Sequence, residues 1–298
     1  MKKIKKSALL FAVLLLFCFC LFGCSDQTHI SYENAGRYQS GGASLEGAVS
    51  AVDVEWLSGT VQFAQAEGMA VTFTETANTN LTEKTSLHYW LEGTVLHIRY
   101  AATGRYQFHD LKKDITISLP AGVTLERLDA QVISGDVVVD RIRATDVSIA
   151  AVSGKVYGTF GDDVKNLAVE TVSGSVDMAA KSIGAFRLST VSGALALSCE
   201  NVPETGKAES VSGDITIQLP QSAFFKLRYQ ALSGDLKTDY ETTAEEGKEM
   251  LCGKMTGDSL AAGESLPLYD VTTTSGRVYI GARPEEQTSD PADPGKEE

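Results

Sequence analysis

Positive charge is scarce in this chain. Against 39 Asp and Glu stand 26 Lys and Arg, a net charge of −13 over 298 residues. Four of those lysines fall in the first six residues, and without residues 1–23 the chain carries 22 basic and 39 acidic groups, a balance of −17. Such a surface opposes nucleic acid and anionic lipid by charge alone. Histidine is scarcer still: His29, His88, His97 and His109 are the whole complement. His88 and His97 lie on candidate strands and lack zinc-like spacing from acids or thiols. The chain has no Gly-x-Ser-x-Gly elbow, P-loop, dinucleotide fingerprint, EF-hand loop or Gly-Gly-x-Gly-x-Asp calcium repeat. The sequence therefore points to no cofactor, no metal and no enzyme class. Of five cysteines, only Cys199 and Cys252 lie beyond residue 24. An exported chain could pair them, but without repeated spacing they serve equally well as small apolar core residues.

The N-terminus has the organisation of a targeting segment. Lys2, Lys3, Lys5 and Lys6 precede an apolar run from Ala8 to Phe22, closed by Leu21-Phe22-Gly23-Cys24. A positive start, a short apolar stretch and a small residue before the cut describe a secretory signal. The last four residues look like a lipobox, which makes Cys24 the acylated (palmitate-bearing) N-terminus after cleavage. Fifteen apolar residues are short for a span of about 20, so the expectation is a lipid anchor on the extracytoplasmic face of a bacterial cell membrane.

Beyond this segment one pattern recurs. Ser-Gly stands at Ser58, Ser134, Ser153, Ser173, Ser192, Ser212, Ser233 and Ser275. From Ser134 to Ser233 the serines are 19, 20, 19, 20 and 21 residues apart, and Ser275 follows after 42, two periods. A fixed period near twenty marks a stacked repeat. Counted from Ser, apolar residues gather at +3 (Val61, Val137, Val156, Val176, Leu195, Ile215, Leu236, Val278) and, with lapses, at +5. They also gather at −4 and −6, and at −1 (Leu57, Ile133, Val152, Val172, Val191, Val211, Leu232). Polar and small residues between them give the alternation of strands. Each repeat reads as two short strands meeting at a Ser-Gly corner, with five inward side chains. One such unit buries too little apolar surface to offset the entropy of ordering it, so the units must stack. The fold class expected is all-β: a single-stranded parallel β-solenoid of about 20 residues per rung with an N-terminal antiparallel cap.

The organisation follows. Residues 1–23 are the signal peptide and 24–48, polar and Gly/Ser-rich, a flexible tether lifting the domain off the membrane. Residues 49–283 form the β-solenoid domain, with a cap and hairpin region at 64–124, an insertion at 240–265 and a closing rung at 266–283. Residues 284–298 are a disordered acidic tail.

These corners, the early rung at Ser58, the strand Thr94-Val95-Leu96-His97-Ile98, the Leu119-Pro120 stop and the final Thr-Ser-Gly rung resemble the putative-adhesin family of bacterial envelope proteins. The likeness covers roughly residues 49–283. It implies a β-solenoid in the cell envelope; adhesion itself is only an analogy of fold and place.

Candidate ligand-facing residues are few. Asp214 and Asp235, on rungs adjacent in sequence, would put two carboxylates about 5 Å apart, a spacing suited to a weak cation site or to sugar cleavage. In the cap, Tyr89 and Trp90, with Tyr100 and Tyr106, could stack on sugars. Rigid strand faces without catalytic motifs favour a non-catalytic, adhesin-like binding or scaffold module. Its partners would be the membrane through the lipid, and an envelope protein or surface glycan. Two alternatives stand beside it: an envelope-stress accessory protein acting on a membrane partner, and a polysaccharide-acting β-helix enzyme.

Overall fold

The computed structural model describes residues 28–108, 110–244, 249–254 and 265–283. The expected signal, Cys24, most of the insertion's loop segments and the acidic tail lie outside them. The described chain is all-β: all its strands but two form one large mixed assembly with two faces, Thr28–Ile30 and Gly104–Tyr106 make a separate two-stranded sheet, and its helical content is a single 3-10 turn at Ala35–Arg37.

Each Ser-Gly unit contributes a strand ending on Ser to the first face and a strand starting three residues later to the second. The serines pair in register, Ser58 with Ser134, then Ser153, Ser173, Ser192 and Ser212. All these pairings are parallel. On the second face Val61, Val137, Val156, Val176, Leu195 and Ile215 line up likewise.

The order then departs from the sequence. Ser212 pairs with Ser275, and Ser275 with Ser233. The rung expected to close the stack is therefore its penultimate member, between the rungs of Ser212 and Ser233. Burial reflects the exchange. Tyr269, Val271, Val278 and Ile280 are fully buried, whereas Ala231 is exposed and Leu236 and Thr238 only half-buried. Tyr269 stands beside Gly206 and between the rings of Phe186 and Phe225, and its hydroxyl donates to Pro203 O at 2.7 Å.

The corners stack more tightly than any side chain allows. A Cβ built on Gly135 would lie 1.8 Å from Gly59 O, on Gly174 1.9 Å from Gly154 O, and on Gly276 2.2 Å from Gly213 O. Glycine is needed here for close backbone approach, and at Gly59 and Gly154, with φ of 102° and 116°, for left-handed backbone as well.

Parity corrects one sequence column. Positions −2, −4 and −6 face inward, so −1 must face out. Trp56, Val132, Ala151, Thr171, Thr190, Ser210 and Thr273 occupy the buried −2 column. The −1 residues Leu57, Ile133, Val152, Val172 and Val191 are half-buried outside, and Val211 and Leu232 are 48% and 85% exposed.

Both ends turn antiparallel. At the outer end Glu249–Cys252 pairs with Phe225–Ser233 and with Thr242–Ala244, so the insertion contributes a hairpin lying along the last rung. At the cap, Lys113–Pro120 runs parallel to Val61–Ala66 and antiparallel to Val71–Ala77. Residues 28–45, expected as part of a flexible tether, are instead built into this end. Thr28–Ile30 pairs with Gly104–Tyr106, Gln39–Ser40 with His88–Glu92, and Ala43–Leu45 with Val71–Ala77. Ile30 is buried there, which gives this polar stretch its anchor. Cys199 and Cys252 are both buried and free, and burial pushes their thiols up to about 12 and about 11. Among the described residues no helix is long and apolar enough to cross a membrane.

Candidate functional site

Strand Val95–Arg99 pairs parallel with Ala51–Ser58, with Asp53 opposite His97 and Glu55 opposite Arg99. Alternation sends Val52, Val54 and Trp56 into the core and Asp53 and Glu55 to the outer face. His88–Glu92 adds Trp90 opposite His97, and Asp129 lies opposite Asp53 on the other side. Trp90, His97, Asp53 and Asp129 thus form one cross-strand row, with Arg99, Glu55 and Gln131 in the next.

The row is tightly bonded. Arg99 Nη2 donates to Asp53 Oδ2 at 2.6 Å and lies 3.3 Å from Glu55 Oε1. His97 Nδ1 lies 2.8 Å from the same Asp53 oxygen, and its Nε2 3.5 Å from Glu92 Oε2. With Nδ1 protonated the ring donates to Asp53, leaving Nε2 shielded from solvent and without a hydrogen-bond partner. The N-terminal segment closes over this floor. Arg99 sits 5.5 Å from the Tyr32 ring centre and 5.9 Å from that of Tyr38. Trp90 stacks on His97 at 5.4 Å, meets Tyr38 edge-on at 5.8 Å and lies under Arg37. Between them is a cleft of about 480 Å³ bounded by Tyr32, Trp90, Glu92, His97, Arg99 and Gln131, among others.

Two carboxyls of this site, Asp53 in the bonded floor and Glu55 lining the cleft, are driven apart. Burial raises the Asp53 carboxyl, but the hydrogen bond and charge of Arg99, then His97, outweigh it and hold Asp53 below its ordinary value. Burial dominates at Glu55, and the Asp53 charge adds to it, so Glu55 sits above the ordinary range despite Arg99. Burial likewise raises the Tyr32 hydroxyl. A cleft lined by the carboxyls of Glu33, Glu55 and Glu92, an imidazole with an unsatisfied nitrogen and three aromatic rings can bind a polar ligand that also offers an apolar face. No group of three or more His, Cys, Asp or Glu able to hold a metal occurs among the described residues.

Of the residues singled out by sequence, Trp90 lies in this cleft and Tyr89 does not. As successive strand residues they point oppositely: the Tyr89 ring meets Phe73 at 4.8 Å and its hydroxyl donates to Gln39 Oε1. Tyr100 is buried against Trp56, its hydroxyl on Leu111 O, and Tyr106 stacks on Phe108. The four rings make no common platform. Asp214 and Asp235 are not neighbours either, because the Ser275 rung lies between theirs. Asp214 accepts from the Arg277 backbone N–H at 2.8 Å and from its guanidinium at 3.0 Å. Asp136 holds the Lys155 N–H, and Asp114 the Thr60 N–H, in the same way. This aspartate column ties one rung to the next. Asp235 is on the last rung of that face. Cys24 lies outside the described residues.

A family model, Toastrack DUF4097, matches residues 112–280, more than half of the chain. The chain belongs to this family. Its match supports the resemblance to putative adhesins and spans the regular rungs; most of the cleft, from Tyr32 to Arg99, precedes it. Solved structures similar to the chain include a putative lipid binding protein from Parabacteroides distasonis, at 12% identity and TM-score 0.41, covering 82% of this chain and 97% of that one. A putative adhesin from Bacteroides fragilis shows 12% identity and TM-score 0.40, covering 81% and 96%. A putative cell adhesion protein from Clostridium sporogenes shows 12% and 0.38, covering 82% and 100%. Likenesses of this size assign neither function nor detailed architecture. No curated protein matches the chain.

Proposed function

We propose that this chain is a non-catalytic binding module of the bacterial cell envelope, anchored by lipid at Cys24 and built as one parallel β-solenoid whose cap carries the ligand site. The ligand class that fits is a surface glycan. The observation that carries this reading is the Trp90–His97–Asp53 row beneath Tyr32 and Tyr38. Ring faces match the apolar faces of sugars, while Glu55, Glu92, Gln131 and Arg99 supply donors and acceptors for hydroxyls. The serine corners and the aspartate column are engaged in holding rungs together, which leaves the cap as the place where side chains converge. Retention of the full chain on insoluble wall glycan tests the reading. Retention lost in Trp90→Ala supports it; equal retention, or none in the unsubstituted chain, contradicts it.

A second reading rests on the divergent carboxyls. Neighbouring carboxyls whose surroundings pull them in opposite directions would suit an acid–base role, with Glu55 at the cleft beside Asp53. Shortening of the bound glycan by the unsubstituted chain, abolished in Glu55→Gln, would favour a polysaccharide-acting enzyme over a binding module.

A further inference from the structure

The outward −1 column is an apolar ladder on an otherwise polar face. Leu57, Ile133, Val152, Val172, Val191 and Val211 stand on six consecutive rungs, half-buried to 48% exposed, followed after Thr274 by Leu232 at 85%. With strands about 4.8 Å apart, the eight rungs extend the ladder over roughly 34 Å. On one side it is bordered by the serine column. On the other, Glu170, Arg187, Glu209 and Lys207 are matched among themselves at 2.7–3.5 Å, so no uncompensated charge flanks it there. Half-buried valines along the line and the exposed side chains of Val211 and Leu232 give this face an apolar row of the kind used for interaction.

The place where the chain leaves the described structure bears on what covers the ladder. Thr28–Tyr32 lines a small pocket together with Leu57 and Ile133, the ladder's first members. Cys24 precedes Thr28 by only four residues, a reach of at most about 14 Å. Because residues 28–45 are built into the cap, no long tether separates an anchor at Cys24 from the domain. We infer that the ladder is a membrane-contact face: with Cys24 acylated, the stack lies along the bilayer with Val152, Val172, Val191 and Val211 against the lipid. This rests on the lipid-anchor reading above. The occupant is a zwitterionic bilayer rather than an anionic one, since the ladder offers no basic residues and the chain beyond residue 23 is strongly acidic. The cleft, which shares Tyr32, Glu55 and Gln131 with the pocket at the ladder's start, then opens beside the membrane surface.

The test adds phosphatidylcholine vesicles to the processed chain acylated at Cys24, which lacks Cys18 and Cys20, with an environment-sensitive fluorophore on a cysteine placed by Val172→Cys or by Asp177→Cys. Asp177 is exposed on the other face, and Cys199 and Cys252 are buried. The expected result is a blue shift and at least about twofold brightening at position 172 on adding vesicles, with position 177 unchanged. Equal responses at the two positions in a chain that stays on the vesicles would overturn the ladder as the contact while leaving the anchor standing. Failure of the unsubstituted chain to bind vesicles, or binding unaltered by Cys24→Ala, would overturn the anchor and the inference with it. A blue shift at 172 that grows with protein concentration and needs no vesicles would assign the ladder to a second copy of the chain, and would also overturn it.

Discussion

Ser212 and Ser275 stand side by side in register although 63 residues separate them, and Ser233, nearer Ser212 in sequence, lies one rung further out. Cysteine cross-linking checks this order. Thr216 pairs with Tyr279, and Tyr279 with Lys237, all on the second face. Thr216→Cys with Tyr279→Cys is expected to cross-link efficiently, and Thr216→Cys with Lys237→Cys not at all. The reverse would restore a strictly sequential stack.

The glycine corners give a stability test. Gly174→Ala must place a methyl 1.9 Å from Gly154 O, whereas a Cβ at Gly122 meets nothing within 4 Å. The first change is expected to cost about 3 kcal/mol or more in denaturant melts, the second within about 0.5 kcal/mol of zero. Similar costs at both would mean the corners are looser than described.

Side-chain parity gives another. Val176 is 1% exposed and Val172 faces out. Val176→Asp buries an unpaired carboxylate and should unfold the domain, while Val172→Asp should change stability by less than about 1 kcal/mol. Equal loss in both would contradict the register.

Lys113 sets a pH dependence. Its side chain is fully buried, with Nζ 2.9 Å from Glu75 Oε2. Burial, only partly offset by Glu75, lowers it to about 8. The unfolded lysine keeps its proton to about 10.4, so between these values the unfolded state binds more protons and stability rises with pH. The benefit is complete above the unfolded value and lost as pH falls to about 8. Melts from pH 8 to 10 should show this slope in the unsubstituted chain and lose it in Lys113→Met. Parallel curves would contradict the assignment.

What the sequence could and could not convey follows from which forces leave a periodic trace. Residues at +3, −4 and −6 pack on their own copies and repeat, so strand, period and stacking were legible. The −1 column misled because its valines are apolar yet outside. The true inward column at −2 is disguised by Thr171, Thr190, Ser210 and Thr273, and Thr171 and Thr190 bond each other at 3.0 Å inside the core. The place of the Ser275 rung left no trace, since a gap of two periods is the same whichever side it stacks on. The cleft was legible only at Trp90. Its other walls come from Tyr32, Tyr38, Glu55, Arg99 and Gln131, distant segments with no shared motif, joined because 28–45 pairs back into the cap.

Hydrogen exchange of the full chain with and without soluble wall-glycan fragments tests the central claim most directly, because it reports where a ligand sits. Slowed exchange confined to Tyr32–Tyr38, Asp53–Glu55 and Trp90–Arg99, and absent in Trp90→Ala, is the predicted result. Protection on the rungs between Val156 and Leu219 with the cap unchanged would place the binding surface elsewhere and contradict the account.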